Sequence, residues 1–477
     1  VLETNRSCPY RCTFCAWGIG TEKLARFDED RILKEIEYIS KRCKLTTTLI
    51  IADANFGILE RDSKFAAKMH EDHIKTGFPN WVYSQWNKTR SDRIIKTAKE
   101  LKEIGIVGAS VQSLNEDTLR AIKRKNFSLA QISEMQKELK KLGHNSWITE
   151  LIFGLPCETK ESHLEANKKM IDLDMDVTTY YLHLLPGTEM DTDEHRKKYF
   201  TKTGWRLLDN AYGIYEGEII LEVQETVLET PTLSVEDFRY FRFFHFLQQM
   251  MWNKKWYYDY LKFLKNHNIH PVEIFNKIIE KCKKDKGEMG ALYLEFMSDY
   301  DDAESFETAE ELKEYWQKDS NFKRLKNQDY GKLNMHYTYK TILSHRDAFN
   351  KLLADIVKEY ALNPSFDANY FIAACQEVLK FQNSKFLQID NQWNIKEQIK
   401  ETFEYDVYEW TKNGYGDLKK LENQKEYKFY LPEKQRDSLN LQLKQYKSKN
   451  INLALRNMTV YTDVRQFFYS VKEEMTI

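Results

Sequence analysis

The chain has 477 residues, 42% of them hydrophobic, with 72 Lys and Arg against 73 Asp and Glu and a formal net charge of −1. That length predicts two or three domains with a real core, which excludes a disordered or fibrous protein. Balanced charge removes any whole-protein electrostatic pull towards nucleic acid or an anionic membrane. No run approaches the roughly 18 apolar residues of a membrane-spanning helix, and the start has no signal-peptide apolar region.

In chain order, residues 1 to about 190 alternate short apolar runs with amphipathic patterns. Strands are predicted at Val1–Asn5, Thr47–Phe56, Trp81–Asn87, Val107–Ser113, Trp147–Gly154 and Val177–Leu185. Between them the helical period appears at Asp28–Cys43, Glu60–Thr76, Ser91–Gly105, Asn115–Arg124 with Ser128–Gly143, and Lys160–Leu173. Ser91 and Asn115 stand where N-caps are expected, and Gly77, Gly105 and Gly143 where a left-handed C-terminal residue is expected. Strand–helix alternation of this kind predicts a parallel sheet with crossover helices, either open and doubly wound or closed towards a barrel. In such a barrel the chemistry lies at the carboxyl ends of the strands.

After about residue 215 the patterning changes. Pro231 and Ser234-Val-Glu-Asp237 predict a helix start, followed by a run from Phe238 to Tyr260 dense in Phe, Trp, Tyr and Met. From there to Ile477 the pattern is mostly helical, with turns at Asn363-Pro364 and Leu431-Pro432. The acidic stretch Asp299–Glu314 and the basic stretch Lys281–Lys286 read as solvated surface, and the aromatic run as core. The expected division is 1–215, 216–360 and 361–477, the last two helical. The first residue is Val1 rather than Met, and a strand is already under way there. The chain is therefore expected to be a trimmed protein or a piece of a longer one.

Of seven cysteines, Cys8, Cys12 and Cys15 fall within eight positions, while Cys43, Cys157, Cys282 and Cys375 are scattered. This is no disulfide framework; it fits a reducing, cytoplasmic setting with one thiolate metal site. Cys8-Pro-Tyr-Arg-Cys12-Thr-Phe-Cys15 follows the first strand with C-x3-C-x2-C spacing. Three close thiolates suit three irons of a cubane cluster, which takes Cys ligands almost exclusively. The fourth iron then keeps an open position, which a reactive site needs. The alternative is a zinc knot, which usually shows paired C-x2-C spacings and would draw a distant fourth ligand such as His70 or His73. Pro9 and Phe14 suit a tight wrap around a bulky cluster.

This loop, with an aromatic just before its last Cys, resembles the cluster loop of the radical S-adenosylmethionine (SAM) superfamily. The resemblance extends through Val107-Gly-Ala-Ser-Val-Gln-Ser113 with Asn115-Glu-Asp-Thr-Leu119 and Arg124, through Ile152-Phe-Gly-Leu-Pro156 with Glu158-Thr159, and through Leu184-Leu-Pro-Gly-Thr-Glu189. It covers about residues 1 to 190 and implies a partial (β/α)6 TIM-like barrel followed by a mostly helical C-terminal region. It also implies a [4Fe-4S] cluster on Cys8, Cys12 and Cys15. In this family the amino and carboxylate groups of SAM chelate the open iron, and one electron from the cluster releases a 5′-deoxyadenosyl radical that takes hydrogen from substrate.

Residue by residue, the resemblance implies that Gln112 bonds the SAM ribose, an amide being both donor and acceptor. Arg124 would grip the methionyl carboxylate with a fork that stays charged, and Glu150 would accept from ribose hydroxyls. Asp53, Gln85 and Phe14 complete the expected cofactor set. The second strand departs from the family: Ala52-Asp53-Ala54-Asn55-Phe56 stands where a Gly-Gly-Glu turn is usual, with Asp53 as the anionic stand-in. Cys157 stands where the family pattern usually has Gly. Cys15-Ala-Trp-Gly18, Asp53-Ala-Asn-Phe-Gly57 and the long tail are similar to the cobalamin-associated branch, although no Asp-x-His-x-x-Gly motif occurs. Cobalamin would then come through a missing N-terminal domain.

The leading expectation is a cobalamin-associated enzyme for methyl transfer or C–C bond chemistry on a small molecule or peptide. Its electron donor would be a flavodoxin or ferredoxin, with neither nucleic acid nor membrane as partner. The alternatives are a cobalamin-independent radical SAM enzyme, of the methylthiotransferase or coproporphyrinogen dehydrogenase kind, and a metal-stabilised, non-catalytic binding protein.

Overall fold

The computed structural model describes residues 1–17, 23–43, 46–143, 148–304, 306–326, 333–390, 393–446, 451–460 and 464–473. Gly18 and Trp147, which belong to readings given above, lie outside them. The chain divides into two compact units, Val1–Arg206 with Val223–Phe238, and Leu207–Glu222 with Arg239–Ile477. This differs from three consecutive segments because a hairpin leaves the first unit and returns to it.

The first unit alternates strands and helices. Its elements are β1 (Asn5–Arg6), β2 (Ala25–Arg26), α1 (Glu29–Arg42), β3 (Thr48–Phe56), α2 (Asp62–Thr76), β4 (Trp81–Trp86), α3 (Ser91–Leu101), α4 (Glu116–Ala121), α5 (Leu129–Lys141), β5 (Ile148–Phe153), α6 (Lys160–Asp172) and β6 (Asp176–Tyr181). β3 pairs parallel with β4, and β5 with β6. Single parallel bridges join Leu2 to Ile51, Val82 to Gly105, Gly108 to Ile148 and Gln112 to Leu151. Six extended segments thus follow one another in sequence order, all parallel, with helices as crossovers. This is the order of a partial (β/α)6 barrel.

Period two decides what each side chain meets. Leu49, Ile51, Val82, Val111, Leu151, Phe153 and Val177 are buried. The alternate residues face open space: Ile50 is 42% exposed and Tyr180 52%. Several helix ends follow their local chemistry. Asn115 caps α4 by accepting from the Asp117 and Thr118 amides, and Ser128 and Gln131 form a capping box on α5. Gly77 and Gly143 take the expected left-handed conformation. Ser91 and Gly105 do not behave as expected. Ser91 is the first helical residue, after Arg90. Gly105, at φ −83, is extended because its backbone joins the sheet beside Val82.

After α7 (Asp193–Tyr199) come two long strands, β7 (Lys202–Tyr215) and β8 (Glu218–Glu229), where helix was expected from residue 216. Glu216 and Gly217 both have positive φ, the geometry that a two-residue hairpin turn requires. Helix α8 (Val235–Leu247) begins at Ser234, whose hydroxyl accepts from the Asp237 amide while the Asp237 carboxylate accepts from the Ser234 amide.

The second unit is mainly helical around the aromatic run. Trp252, Tyr257 and Tyr260 of that run are fully buried, as expected of core, and so are Trp316 and Tyr337 beyond it. Helix α8 continues into a π-helical turn, Gln248–Asn253. The C-terminal segment is not wholly helical. Strands β9 (Gln398–Tyr405), β10 (Lys420–Tyr430) and β11 (Ser470–Glu473) form an antiparallel sheet in the order β11-β10-β9. Phe403, Tyr427 and Phe429 bury one of its faces, which overrode a polar, helix-compatible composition. Parts of the two charged stretches are engaged rather than simply solvated. Asp299 accepts from the Tyr337 hydroxyl at 2.8 Å, Arg239 pairs with Asp301, and Cys282 is buried within the basic run. No helix among the described residues is long and apolar enough to cross a membrane.

Candidate active site

The cysteine loop leaves the first strand at its carboxyl end. Its base is closed by the two-residue ladder of β1 with β2, Asn5 opposite Arg26 and Arg6 opposite Ala25. Ser7, at φ 81, turns the chain into the loop. The Cys15 amide donates to the Cys12 carbonyl at 3.1 Å, Thr13 donates to the Ile122 carbonyl at 3.2 Å, and the Met190 amide donates to the Thr13 carbonyl at 2.9 Å. Backbone bonds to two other segments of the unit therefore hold the loop. All three thiols are free, with Cys8 and Cys12 buried and Cys15 partly so. Burial pushes the Cys15 thiol up from its ordinary value.

Donors surround these sulfurs. Asn55 Nδ2 lies 3.0 Å from Cys8 Sγ, both buried. The Arg124 guanidinium reaches Cys12 Sγ at 3.9 Å, donates to Asn126 Oδ1 at 2.9 Å and bonds the Ser110 carbonyl. Asn126 in turn donates to the Val111 and Ser113 carbonyls at 2.6 and 2.9 Å, which ties Arg124 to the fourth strand segment. Ser110 Oγ donates to Glu150 Oε2 at 2.6 Å. Burial lowers the Lys88 ammonium, as does the neighbouring Arg124 charge, while Cys12, Cys8 and Cys15 act in the opposite sense. Lys88, whose ammonium lies 5.8 Å from the ring centre of Tyr10 in the loop, and Asn55 belong to the site, and no spacing in the sequence marked either. Asn55 stood only within the Asp53-Ala-Asn-Phe-Gly57 resemblance, and the signal for Lys88 was its position just past the carboxyl end of β4.

Of the expected residues, the fold brings Cys8, Cys12, Cys15 and Arg124 together, with Glu150 joined to the Arg124 network through Ser110. Gln112 is buried at φ 65, with its backbone bonded to β5 through Glu150 O and Ile152 N at 2.8 Å each. Gln85 lies on the open side of β4 and donates to the Tyr83 hydroxyl at 3.2 Å. Phe14 is half-buried in the turn between Cys12 and Cys15.

Asp53 makes its hydrogen bonds to the first strand, just before the cysteine loop. It falls in the buried row of β3 with Leu49 and Ile51, and its carboxylate accepts from the Thr4 amide at 2.7 Å, the Asn5 amide at 3.2 Å and Asn5 Nδ2 at 2.6 Å, as well as from the Thr4 hydroxyl. Burial raises its pKa against those bonds. Its carboxylate thus helps to fix the first strand, a structural role beside the one expected of it.

Cys157 sits at φ 63, which explains why a glycine is the usual residue at that turn. The histidines considered as zinc ligands lie on α2, where His70 pairs with Glu103 at 3.5 Å. Among the described residues, no three His, Cys, Asp or Glu side chains converge on one point as the ligands of a single ion do. A cubane presents each thiolate to a different iron. The donor set of three thiols with N–H donors directed at two of them fits that group.

The radical SAM superfamily profile matches residues 2–169. The chain therefore carries a radical SAM domain, the core of a superfamily of enzymes, and with it the requirement for a [4Fe-4S] cluster and SAM. It is 30% identical over 312 residues to the cobalamin-dependent radical SAM methyltransferase TokK of Streptomyces tokunonensis, covering 63% of this chain and 45% of that one. It is 31% identical over 242 residues to the 2-(S-pantetheinyl)-carbapenam-3-carboxylate methyltransferase of Streptantibioticus cattleyicolor, covering 49% and 35%. The chain thus spans less than half the length of these relatives. Among solved structures, the methyltransferase TsrM from Kitasatospora setae, with cobalamin and a [4Fe-4S] cluster bound, overlaps 43% of this chain and 38% of its own at 16% identity and a TM-score of 0.34. Coproporphyrinogen III oxidase from Escherichia coli overlaps 39% and 44% at 17% identity and a TM-score of 0.31.

Proposed function

We propose that this chain contains the catalytic core of a radical SAM methyltransferase that works with cobalamin on a small-molecule or peptide substrate. The observation that carries the chemistry is the loop of three thiols with Asn55 and Arg124 directed at Cys8 and Cys12. The two relatives, both methyltransferases and one of them cobalamin-dependent, favour methyl transfer over the alternatives. When bound and reduced by one electron, the cluster and SAM supply a carbon radical at the site.

The chain's own residues hold and shield that chemistry. Cys8, Cys12 and Cys15 would each ligate one iron and leave the fourth open. Arg124 would hold the SAM carboxylate with the N–H groups that Asn126 and Ser110 leave available. Gln112 and Glu150, on neighbouring strands, would hold the ribose, and the aromatic faces of Tyr83 and Tyr180 on the open side would limit water. No cobalamin-ligating motif occurs in the sequence, so the reading assigns cobalamin to no residue of this chain. The proposed setting is the cytoplasm, where a flavodoxin- or ferredoxin-type protein would deliver the electron.

The test is anaerobic reconstitution with iron and sulfide, reduction in the presence of SAM, and assay for 5′-deoxyadenosine and for methyl transfer with and without added methylcobalamin. Turnover of SAM that requires all three cysteines supports the reading. Methyl transfer indifferent to cobalamin moves it to the cobalamin-independent alternative. Zinc in place of iron overturns it.

A further inference from the structure

Asn55 stands at the carboxyl end of β3, 1% exposed. The pairing of β3 with β4 is interrupted between Ile51 and Phe56, so the strand leaves its regular course where it meets the cysteine loop. The Asn55 backbone carbonyl accepts from the Ile58 amide at 3.2 Å, which closes the turn and fixes the residue. Its side-chain nitrogen then meets Cys8 Sγ at 3.0 Å. Rotating the amide by half a turn would set an oxygen lone pair against the thiolate, so the nitrogen must face the sulfur. Asn55 Oδ1 is buried and has no hydrogen-bond partner among the described residues. A buried amide that leaves its acceptor unsatisfied loses stability, which is expected where the donor's contact serves function.

We propose that Asn55 is a positioning residue for the cluster, its N–H donating to the Cys8 thiolate and raising the potential at which the cluster accepts its electron. This rests on the reading that Cys8, Cys12 and Cys15 hold a [4Fe-4S] group. Reduction adds one electron from a one-electron donor, makes and breaks no bond and moves no proton. The added negative charge spreads onto the ligand sulfurs, so a fixed donor stabilises the reduced state more than the oxidised one. Burial strengthens the effect, because little water screens the bond. Asn55 occupies the end of the strand where the family's glycine turn is absent, so the same departure that removes a backbone contact supplies a sulfur donor.

The experiment is a mediated one-electron titration of the full, anaerobically reconstituted chain, followed by the electron paramagnetic resonance signal of the reduced cluster. Wild type is compared with Asn55→Leu, which keeps the bulk and loses the donor, and with Asn55→Asp, which adds a negative charge. At the potential where half of the wild-type cluster is reduced, the ratio of reduced to oxidised cluster in Asn55→Leu is expected to fall about tenfold, which is about 59 mV for a one-electron couple. Asn55→Asp is expected to fall further, with iron and sulfide content unchanged in both. Equal midpoints in all three proteins overturn the proposal. If the variants fail to take up a cluster, wild type grown with 15N-asparagine decides: a hyperfine coupling between the reduced cluster and 15N is expected, and its absence overturns the proposal. The underlying reading is judged separately, from iron and sulfide in wild type before any titration. Zinc there defeats the cluster itself, whereas a loaded cluster with equal midpoints defeats Asn55 alone.

Discussion

Arg124 is 5% exposed, and a charge buried that deeply is tolerated only when its N–H groups are engaged. Nε and one terminal nitrogen are held by Asn126 and Ser110, while the other terminal nitrogen points towards Cys12. Lysine keeps the charge but not the planar fork. Arg124→Lys is therefore expected to weaken SAM binding about tenfold, about 1.4 kcal/mol, with iron content retained. Equilibrium dialysis of the reconstituted protein checks this, and unchanged affinity would leave Arg124 a purely structural role. Glu158 is buried between the Ser113 and Ser162 hydroxyls at 2.6 and 2.8 Å. Burial pushes its pKa from 4.5 up to about 7. With the folded value raised, the unfolded chain loses its proton first as pH rises. Stability is then full below pH ~4.5, falls through the window to about 7, and is flat above it, by about 3 kcal/mol in all. In Glu158→Gln that part of the slope should vanish, as denaturant titrations at pH 5, 6 and 7 would show.

At the scale of elements, the turn after β5 sets the geometry of the fifth strand end. Gly154 has φ +90, and a Cβ there would lie 2.9 Å from Phe238 Cζ. The Phe238 ring stands 4.8 Å from that of Phe153, so it has little room to yield. Gly154→Ala combines backbone strain with overpacking and is expected to cost about 2–4 kcal/mol; a loss under 1 kcal/mol in urea unfolding would mean that the turn relaxes. Three positions on, Cys157 occupies a left-handed conformation without being glycine. Cys157→Gly should stabilise the protein by up to about 1 kcal/mol, and any destabilisation would show that the thiol has packing the turn needs. Alternation buries Leu49 and Ile51 but ends where the pairing of β3 with β4 is interrupted after Ile51; beyond that point Asp53 accepts from Thr4 and Asn5, and Asn55 meets Cys8.

For the molecule as a whole, the decisive fact is that the chain divides into two compact units. The thiols lie in Val1–Arg206, and the aromatic cluster around Trp252, Tyr257 and Trp316 lies in the unit that starts again at Arg239. Cys12→Ala should consequently reduce iron from about four per chain to well below that and abolish SAM cleavage. The near-ultraviolet circular dichroism of the aromatic core should be unchanged. Loss of both signals together would mean that the cluster is needed for the fold of the whole chain.

Local chemistry was legible from the residues alone. Cysteine spacing marked the loop, period-two and helical patterns marked the six strand–helix repeats, and Asn115, Gly77 and Gly143 marked their ends, because each of these signals depends on neighbours within a few positions. Long-range partners left no such mark. The Asn55 to Cys8 contact joins residues 47 positions apart and the Arg124 to Cys12 contact residues 112 apart. The hairpin of β7 and β8 and the C-terminal sheet were likewise decided by cross-strand pairing and burial, which outweighed local propensity. The bonds of Asp53 to Thr4 and Asn5, 49 and 48 positions away, were equally unmarked. Which polar groups reach the thiols is settled only when separate strands are brought to one edge of the barrel, and that is a property of tertiary structure.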